Sequence, residues 1–318
     1  MIRAFAVLSA CLIAMAMPQP GAAAPWGPGQ LNHYRAYPSR FAAPRDVSVW
    51  LPPGYDRGGA PYAVLYAHDG QNLFDPSTGY GGKEWGLDET AARLIAEGKV
   101  RPFIIVGIWN TPKRMQEYLP GRAYAGIPSI YRKDIEAYYG GPALADGYLR
   151  FIAEELKPFI DRHYNTAPGR ESTFVMGSSM GGIVSLAAIA HYPQIFGGAA
   201  SLSTHWPMRY GGPDMAVTRA EIAASMNSAE AYLRAALPRP GRHRLYIDSG
   251  AELDLPDYAA YQKRIDAMLK SRGWTDGKDW LSRAYPGMPH NEDAWRARVD
   301  VPLQFLLGKE TAGAQGKR

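Results

Sequence analysis

The amino-acid sequence predicts an α/β fold: a mostly parallel central sheet flanked by helices on both faces. Three observations predict it. Short β-like runs alternate with longer helix-like segments along the chain, the pattern of successive strand–helix–strand units. Two of the runs, Tyr62–Ala67 and Phe103–Trp109, are continuously apolar, the mark of strands covered on both faces. The stretch Gly177-Ser178-Ser179-Met180-Gly181-Gly182 sits between an apolar β-like run, Ser172–Met176, and a helix-like run, Ile183–His191, so it reads as a tight strand-to-helix turn. With 318 residues, 46% of them hydrophobic, the chain is long enough to bury one large core.

The elements follow in order. Residues before about Ala43 are rich in Pro, Gly and aromatics and show no clear period. Asp46–Leu51 alternates as a strand and is ended by Pro52-Pro53-Gly54. After the strand at Tyr62–Ala67, Trp85–Glu97 reads as an amphipathic helix and Phe103–Trp109 as the next strand. Asn110–Pro142 reads as a long, Gly- and Tyr-rich irregular loop, a class of segment that often carries function. Ala143–His163 is helical, with Leu149, Ile152, Leu156 and Ile160 on one face. Strands at Ser172–Met176, Gly198–Leu202, Arg244–Asp248 and Trp280–Tyr285 then alternate with helices at Ile183–His191, Thr218–Leu237, Asp257–Arg272 and Glu292–Leu307. No linker divides this region, so residues 25–307 read as one domain, with 308–318 a polar C-terminal tail.

Residues 1–24 read as an export signal. Arg3 is a short basic start, Phe5–Met17 an apolar stretch too short to span a bilayer comfortably, and Gly21-Ala22-Ala23-Ala24 a small-residue cleavage region. Leu8-Ser9-Ala10-Cys11 imitates a lipoprotein box, but the apolar run continues past Cys11, so the cysteine reads as part of the signal core. Removal of the signal takes away the only cysteine, which excludes disulfides, thiol nucleophiles and cysteine metal sites from the mature chain. These features predict a mature chain in the bacterial periplasm or outside the cell. The net charge of +5 is spread without a basic block, which argues against nucleic acid as a partner. No second stretch is long enough to span a membrane, and oligomeric state is not legible. No spacing suggests a metal site and no G-x-G-x-x-G follows a strand, so no cofactor is expected.

The chemistry concentrates at Ser179. A serine on a strained strand-to-helix turn holds its Oγ clear of the backbone, and the helix N-terminus behind it favours negative charge on a substrate oxygen. Its hydroxyl needs a base near neutral pKa, and a carboxylate to hold that base in the right tautomer. In enzymes of this strand–turn–helix type the chain order is serine, acid, histidine. Of the histidines after Ser179, His191 lies at the far end of the turn's helix, His243 precedes a strand at the wrong end of the sheet, and His205 precedes every acid candidate. His290, in the loop after the last strand, is the candidate base. For the acid, the loop after Arg244–Asp248 offers Asp254, with Asp248 and Glu252 as competitors. The oxyanion hole needs two backbone N–H donors. Met180 supplies one; Gln71, after the permissive Gly70, is the candidate for the other.

The segments Leu65–Asp75, Gly177–Gly182 and Pro286–Asn291, the last followed by Trp295-Arg296-Ala297-Arg298, resemble the putative-esterase family of α/β-hydrolases. That family includes esterase D-like enzymes, feruloyl and acetylxylan esterases, enterochelin-type esterases and mycolyltransferases. The resemblance spans roughly Val47 to Leu307. It implies an α/β-hydrolase fold with Ser179 as nucleophile, Asp254 as acid, His290 as base, and the N–H groups of Gln71 and Met180 as oxyanion hole.

Weaker expectations attach to other residues. Asp69 is a candidate for positioning substrate, and Trp206 for the pocket mouth, with a core aromatic as the alternative for the latter. Arg114 and Glu117 are spaced as an ion pair on one helical turn. Tyr118, Tyr124, Tyr131, Tyr138 and Tyr139 are candidates for lining an aromatic or sugar-binding cleft. The expected function is an exported serine esterase acting through an acyl-enzyme on a carbohydrate-linked, feruloyl or siderophore ester. An acyltransferase with the same intermediate, and a silent hydrolase-fold binding protein, are the competing readings.

Overall fold

The apolar runs line up as the strands of one eight-stranded sheet. The structure, a computed structural model, describes residues 27–209, 217–251 and 258–309. The strands are β1 (Gln30–Tyr37), β2 (Arg45–Leu51), β3 (Ala63–His68), β4 (Phe103–Ile108), β5 (Thr173–Ser178), β6 (Gly198–Leu202), β7 (Arg244–Ser249) and β8 (Trp280–Ala284). Their spatial order is β1-β2-β4-β3-β5-β6-β7-β8. The β1–β2 and β2–β4 pairs are antiparallel and every pair from β4 onward is parallel. This is the α/β-hydrolase arrangement, with β5 at the centre.

The continuous apolar runs are explained by the pleat. Along β3, Val64 and Tyr66 belong to one buried cluster while Ala63, Leu65 and Ala67 belong to another on the opposite face. Along β4, Ile104 and Val106 alternate with Phe103 and Ile105 in the same way. A strand with helices on both sides has no position free for a polar residue.

The helices are α1 (Leu87–Ala96), α2 (Arg114–Glu117), α3 (Gly121–Ala125), α4 (Ser129–Tyr139), α5 (Ala145–Phe151), α6 (Lys157–His163), α7 (Met180–His191), α8 (Arg219–Ala236), α9 (Tyr258–Ser271), α10 (Glu292–Arg296) and α11 (Asp300–Leu307). Helices α1 and α11 cover one face with Leu87, Leu94, Leu303 and Leu307. The opposite face is covered by α5 to α9, whose core residues include Leu149, Ile160, Ile183, Leu233 and Ile265. The segment expected as one helix at Ala143–His163 is α5 and α6 joined by a π-helical turn at Ile152–Leu156. The last expected helix is two, α10 and α11, with Pro302 in the first turn of α11.

Two expectations are corrected. Gln30–Tyr37 is an edge strand, although it shows no clean period: its inward positions include Asn32 beside Tyr34, so the buried side reads as polar. The segment expected as an irregular loop at Asn110–Pro142 contains α2, α3 and α4, folded around buried Tyr118, Leu119, Ile127 and Ile135.

Two buried carboxylates in the fold are matched by arginines. Arg45 Nη2 donates to Glu117 Oε1 at 2.6 Å and Nη1 to Oε2 at 3.1 Å, so Glu117 is bound to Arg45 and not to its helix neighbour Arg114. Asp248, at the end of β7, accepts from the Ser203 N–H at 2.8 Å, the Tyr246 hydroxyl at 2.9 Å and two nitrogens of Arg298 at 3.0 and 3.1 Å. Removing Arg298 by Arg298→Met leaves that carboxylate buried and uncompensated. The expected cost is about 3–5 kcal/mol, read as a lowered urea midpoint with an unchanged slope.

Candidate active site

Ser179 stands between β5 and α7 with φ 59° and ψ −124°. Such a conformation is rare for a residue with a Cβ, and persists only where its surroundings impose it. Three glycines allow it. A Cβ on Gly177 would come within 2.8 Å of the Gly181 backbone, and one on Gly182 within 2.4 Å of Ser201 Oγ. Gly181 faces Asp69, with 3.4 Å between an added Cβ and Oδ2. The backbone of Ser179 is pinned on both sides: its N–H donates to the Leu202 carbonyl at 2.9 Å and its carbonyl accepts from His205 N–H at 3.2 Å.

A cleft of about 580 Å³ opens above this turn. Ser179 lines it together with Asp69, Gln71, Asn72, Arg114 and His290. The structure therefore brings the candidate nucleophile, the candidate base and the candidate oxyanion loop to one cavity, at the carboxyl ends of β3, β4 and β5. His290 packs edge-on to Trp295, with ring centroids 5.1 Å apart. Its loop is set by Asn291, whose side chain accepts from Ala294 N–H at 3.1 Å and caps α10.

The candidate oxyanion loop follows β3. Asp69 adopts φ 56° and ψ 46°, a left-handed conformation that aspartate tolerates better than most residues. Its carboxylate accepts from Arg114 Nε and Nη2, both at 2.7 Å, from Asn110 Nδ2 at 2.6 Å and from the Tyr118 hydroxyl at 3.2 Å. Its own N–H donates to that same hydroxyl at 3.1 Å. Burial alone raises the carboxyl's pKa, but Arg114 and the hydrogen bonds outweigh it and hold it below its usual value. Gly70 follows where a Cβ would come within 2.5 Å of the Gly107 backbone. Gln71 is fixed through its side chain, which accepts from Asn110 N–H at 3.1 Å, and its carbonyl, which accepts from Thr78 Oγ1 at 2.7 Å. Neither Gln71 N–H nor Met180 N–H has an acceptor among the described residues.

Behind the loop lies His68. Its Nδ1 is 2.7 Å from the Tyr148 hydroxyl and its Nε2 is buried without a partner. Burial foremost, with Arg114 and Arg45 adding to it against Asp69, lowers its pKa to about 3. It is a neutral spacer beneath the elbow, 3.0 Å from where a Cβ on Gly177 would stand.

Several expectations change. Asp248 is not free to steer His290, because both its oxygens are taken by Arg298, Ser203 and Tyr246. Asp254 and Glu252 lie outside the described residues. The loop that leads to them is nonetheless tied to the histidine loop, since Ala251 N–H donates to the Met288 carbonyl at 2.7 Å. Trp206, expected at the pocket mouth, is fully buried in the core with its indole N–H donating to Gln262 at 3.1 Å; the large apolar ring is used as packing. Arg114 pairs with Asp69 across 45 residues and not with Glu117, a partnership no local spacing reveals. None of Tyr118, Tyr124, Tyr131, Tyr138 and Tyr139 lines the cleft; Tyr118 lies beneath Asp69 and Tyr139 is buried in the core. Sequence reasoning missed Asn72, Tyr80 and Glu292, which do line it. Asn72 lies within the Leu65–Asp75 segment and Glu292 directly follows Pro286–Asn291, so proximity to those blocks was the available signal.

Among the described residues no group of histidine and acidic side chains could hold a metal ion, and no helix is long and apolar enough to cross a membrane.

Comparisons with known proteins bear on the family and the fold. A family model described as "Putative esterase" matches residues 38–304. The uncharacterized protein YbbA of Bacillus subtilis (strain 168) is 23% identical over 288 residues, covering 88% of this chain and 97% of that protein. The ferri-bacillibactin esterase BesA of the same organism is 31% identical over 157 residues, 46% of this chain and 50% of that enzyme. Among solved structures, a ferulic acid esterase from Anaeromyces mucronatus superimposes with a TM-score of 0.54 at 19% identity, covering 92% of each chain.

His68 makes folding pH-dependent in a defined sense. The unfolded imidazole titrates near 6.5 and the folded one near 3. Between these values the unfolded chain binds a proton that the folded chain does not, so stability falls as pH drops from about 6.5 towards 3. His68→Gln is expected to flatten that decline, measured as urea midpoints at a series of pH values across the window.

Proposed function

Because the chain belongs to this esterase family and is a carboxylic ester hydrolase, we propose that it is an exported serine esterase working through an acyl-enzyme. The observation that carries the reading is Ser179, held at φ 59° on the β5–α7 turn in one cleft with His290. In this reading Ser179 Oγ attacks the ester carbonyl and His290 takes its proton. The carbonyl oxygen becomes an anion and is received by the N–H groups of Gln71 and Met180, both without other acceptors among the described residues. The alcohol leaves with the proton from His290, and water then releases the acyl group by the same route.

Asp254 is the acid that orients His290. Support comes from the Ala251–Met288 hydrogen bond, which holds the start of its loop beside the histidine loop, and from the commitment of Asp248 elsewhere. The substrate is an ester of the feruloyl, carbohydrate-linked or siderophore kind. Support comes from the names of the relatives, an esterase of ferri-bacillibactin and one of ferulic acid. Export rests on residues 1–24, with the mature enzyme in the periplasm or secreted.

Hydrolysis of short 4-nitrophenyl esters tests the reading. Ser179→Ala is expected to lose kcat by roughly 10³–10⁶-fold and to abolish fluorophosphonate labelling. Asp254→Asn is expected to lose roughly 10³–10⁴-fold while Glu252→Gln stays near wild type. The reverse order would move the acid to Glu252. Wild type inert to both reagents would end the esterase assignment.

A further inference from the structure

The cleft contains two features that the acyl-enzyme chemistry does not use. One is Glu292, the first residue of α10. It is 6% exposed, lines the cleft two residues after His290, and accepts from Asn72 Nδ2 at 3.2 Å. That neutral amide is the one side chain that hydrogen-bonds it among the described residues. Arg114 faces it, but that guanidinium is bidentate to Asp69. The cleft is thus lined by two carboxylates, Asp69 and Glu292, against one guanidinium, Arg114, among the described residues. That excess of carboxylates lies on a chain of net charge +5.

The other feature is Tyr80. It lines the same cleft and is 79% exposed, the most exposed large apolar side chain among the described residues. Its backbone is anchored. Its N–H donates to Asn72 Oδ1 at 3.1 Å, and it sits on a tight turn where Gly81 and Gly82 take φ of 64° and 72°. On the cleft's far side, Lys83 pairs with Asp293, Arg296 with Glu84 and Glu89, and Trp85 with Trp295 at 5.5 Å. These contacts lock the Tyr80 segment onto the histidine loop. An aromatic face presented to water at a cleft mouth gains free energy when a flat group covers it.

We propose that the cleft selects uncharged esters bearing a flat ring, with Tyr80 stacking that ring and the Glu292 carboxylate repelling anionic substrates. The proposal rests on the esterase reading and deepens it. Neutral aromatic esters are favoured, and anionic ones are disfavoured. Burial foremost, and then Asp69, push the Glu292 carboxyl up, with its own backbone N–H, His290 and Arg114 pulling against them. Assays therefore belong at about pH 8, well above the ordinary carboxylate range.

The test uses the full mature chain. Ethyl butyrate and ethyl hemisuccinate have acyl chains of the same length, ending in a methyl and a carboxylate, and ethoxide is too poor a leaving group for the free carboxylate to expel unaided. Wild type is expected to prefer the butyrate in kcat/KM by about tenfold or more, given a like charge within the cleft. Glu292→Gln keeps a hydrogen-bonding oxygen for Asn72, and is expected to narrow that ratio about fivefold or more, less so at high salt. For Tyr80, methyl ferulate and 4-nitrophenyl butyrate are compared with ethyl butyrate. Tyr80→Ala is expected to lower the ring-to-aliphatic ratio about fivefold through KM, and Tyr80→Phe to restore it. An unchanged butyrate-to-hemisuccinate ratio in Glu292→Gln overturns the charge assignment. Unchanged ring-to-aliphatic ratios in Tyr80→Ala overturn the stacking assignment. Fluorophosphonate labelling of each variant separates these outcomes from misfolding. Wild type that labels with nothing and hydrolyses no ester condemns the esterase reading instead.

Discussion

The structure depends on how closely the backbone approaches itself around Ser179. The end of β5, the start of α7 and the edge of β6 crowd to distances that exclude a side chain at Gly177 and Gly182. The serine between them has no room to relax from φ 59°. Its strain is sustained by pairing on both sides, through Leu202 and His205, and by the two apolar layers that hold β5 at the sheet's centre. Everything catalytic is then positional. The oxyanion loop leaves β3 beside β5, the candidate acid loop leaves β7, and the histidine loop leaves β8, all at the same edge of a parallel sheet. Parallel strands place their carboxyl ends together, so residues far apart in the chain meet without any long excursion.

The oxyanion loop shows how that position is made rigid. A left-handed aspartate at the end of a buried strand would ordinarily be a weak point. Here the Asp69 carboxylate takes Arg114, Asn110 and Tyr118, and the same tyrosine hydroxyl takes its N–H. The guanidinium of Arg114 also lies 4.8 Å from the centre of the Tyr118 ring. One residue thereby collects donors from the β4–α2 connection and from α2, and fixes the loop whose next N–H groups point onward to Gln71. The neutral His68 beneath it fills space without bringing a charge towards the elbow. Segment 110–118 is thus not a lid or an ornament: it is the buttress of the oxyanion loop.

Much of this was legible in the chain. Periodicity located seven of the eight strands, because interior strands of a parallel sheet are apolar at every position. The elbow was legible because its glycines and serine are required at fixed spacing. What failed was whatever depends on partners distant in sequence. Arg114 has a glutamate three residues away, and only the fold shows that Arg45 has claimed it. Trp206 could equally have been core or cleft, and nothing in its neighbours decides which surface a large ring will meet. The edge strand β1 was hidden because its buried face includes Asn32, which reaches the Tyr164 hydroxyl at 3.3 Å. A polar residue in that position looks solvated until its partner is known.

The buried carboxylates sort into two kinds, and the distinction bears on what the cleft can accept. Glu117, Asp248 and Glu221 each have an arginine, in Arg45, Arg298 and Arg209, and so does Asp69 in Arg114. These pairs project little net field, since each charge is matched within hydrogen-bonding distance. Asp88 and Glu292 are of the other kind: both sit in the first turn of a helix, and in both burial raises the carboxyl's pKa while backbone N–H groups pull it back. Asp88 lies on α1, away from the cleft lining. Glu292 lies in it, within two residues of the candidate base. An unmatched negative charge there does not stabilise the fold, because burial opposes it, and removing it would relieve that penalty. Its field acts on whatever enters beside His290, while the Arg114 guanidinium that shares the cleft is bound to Asp69.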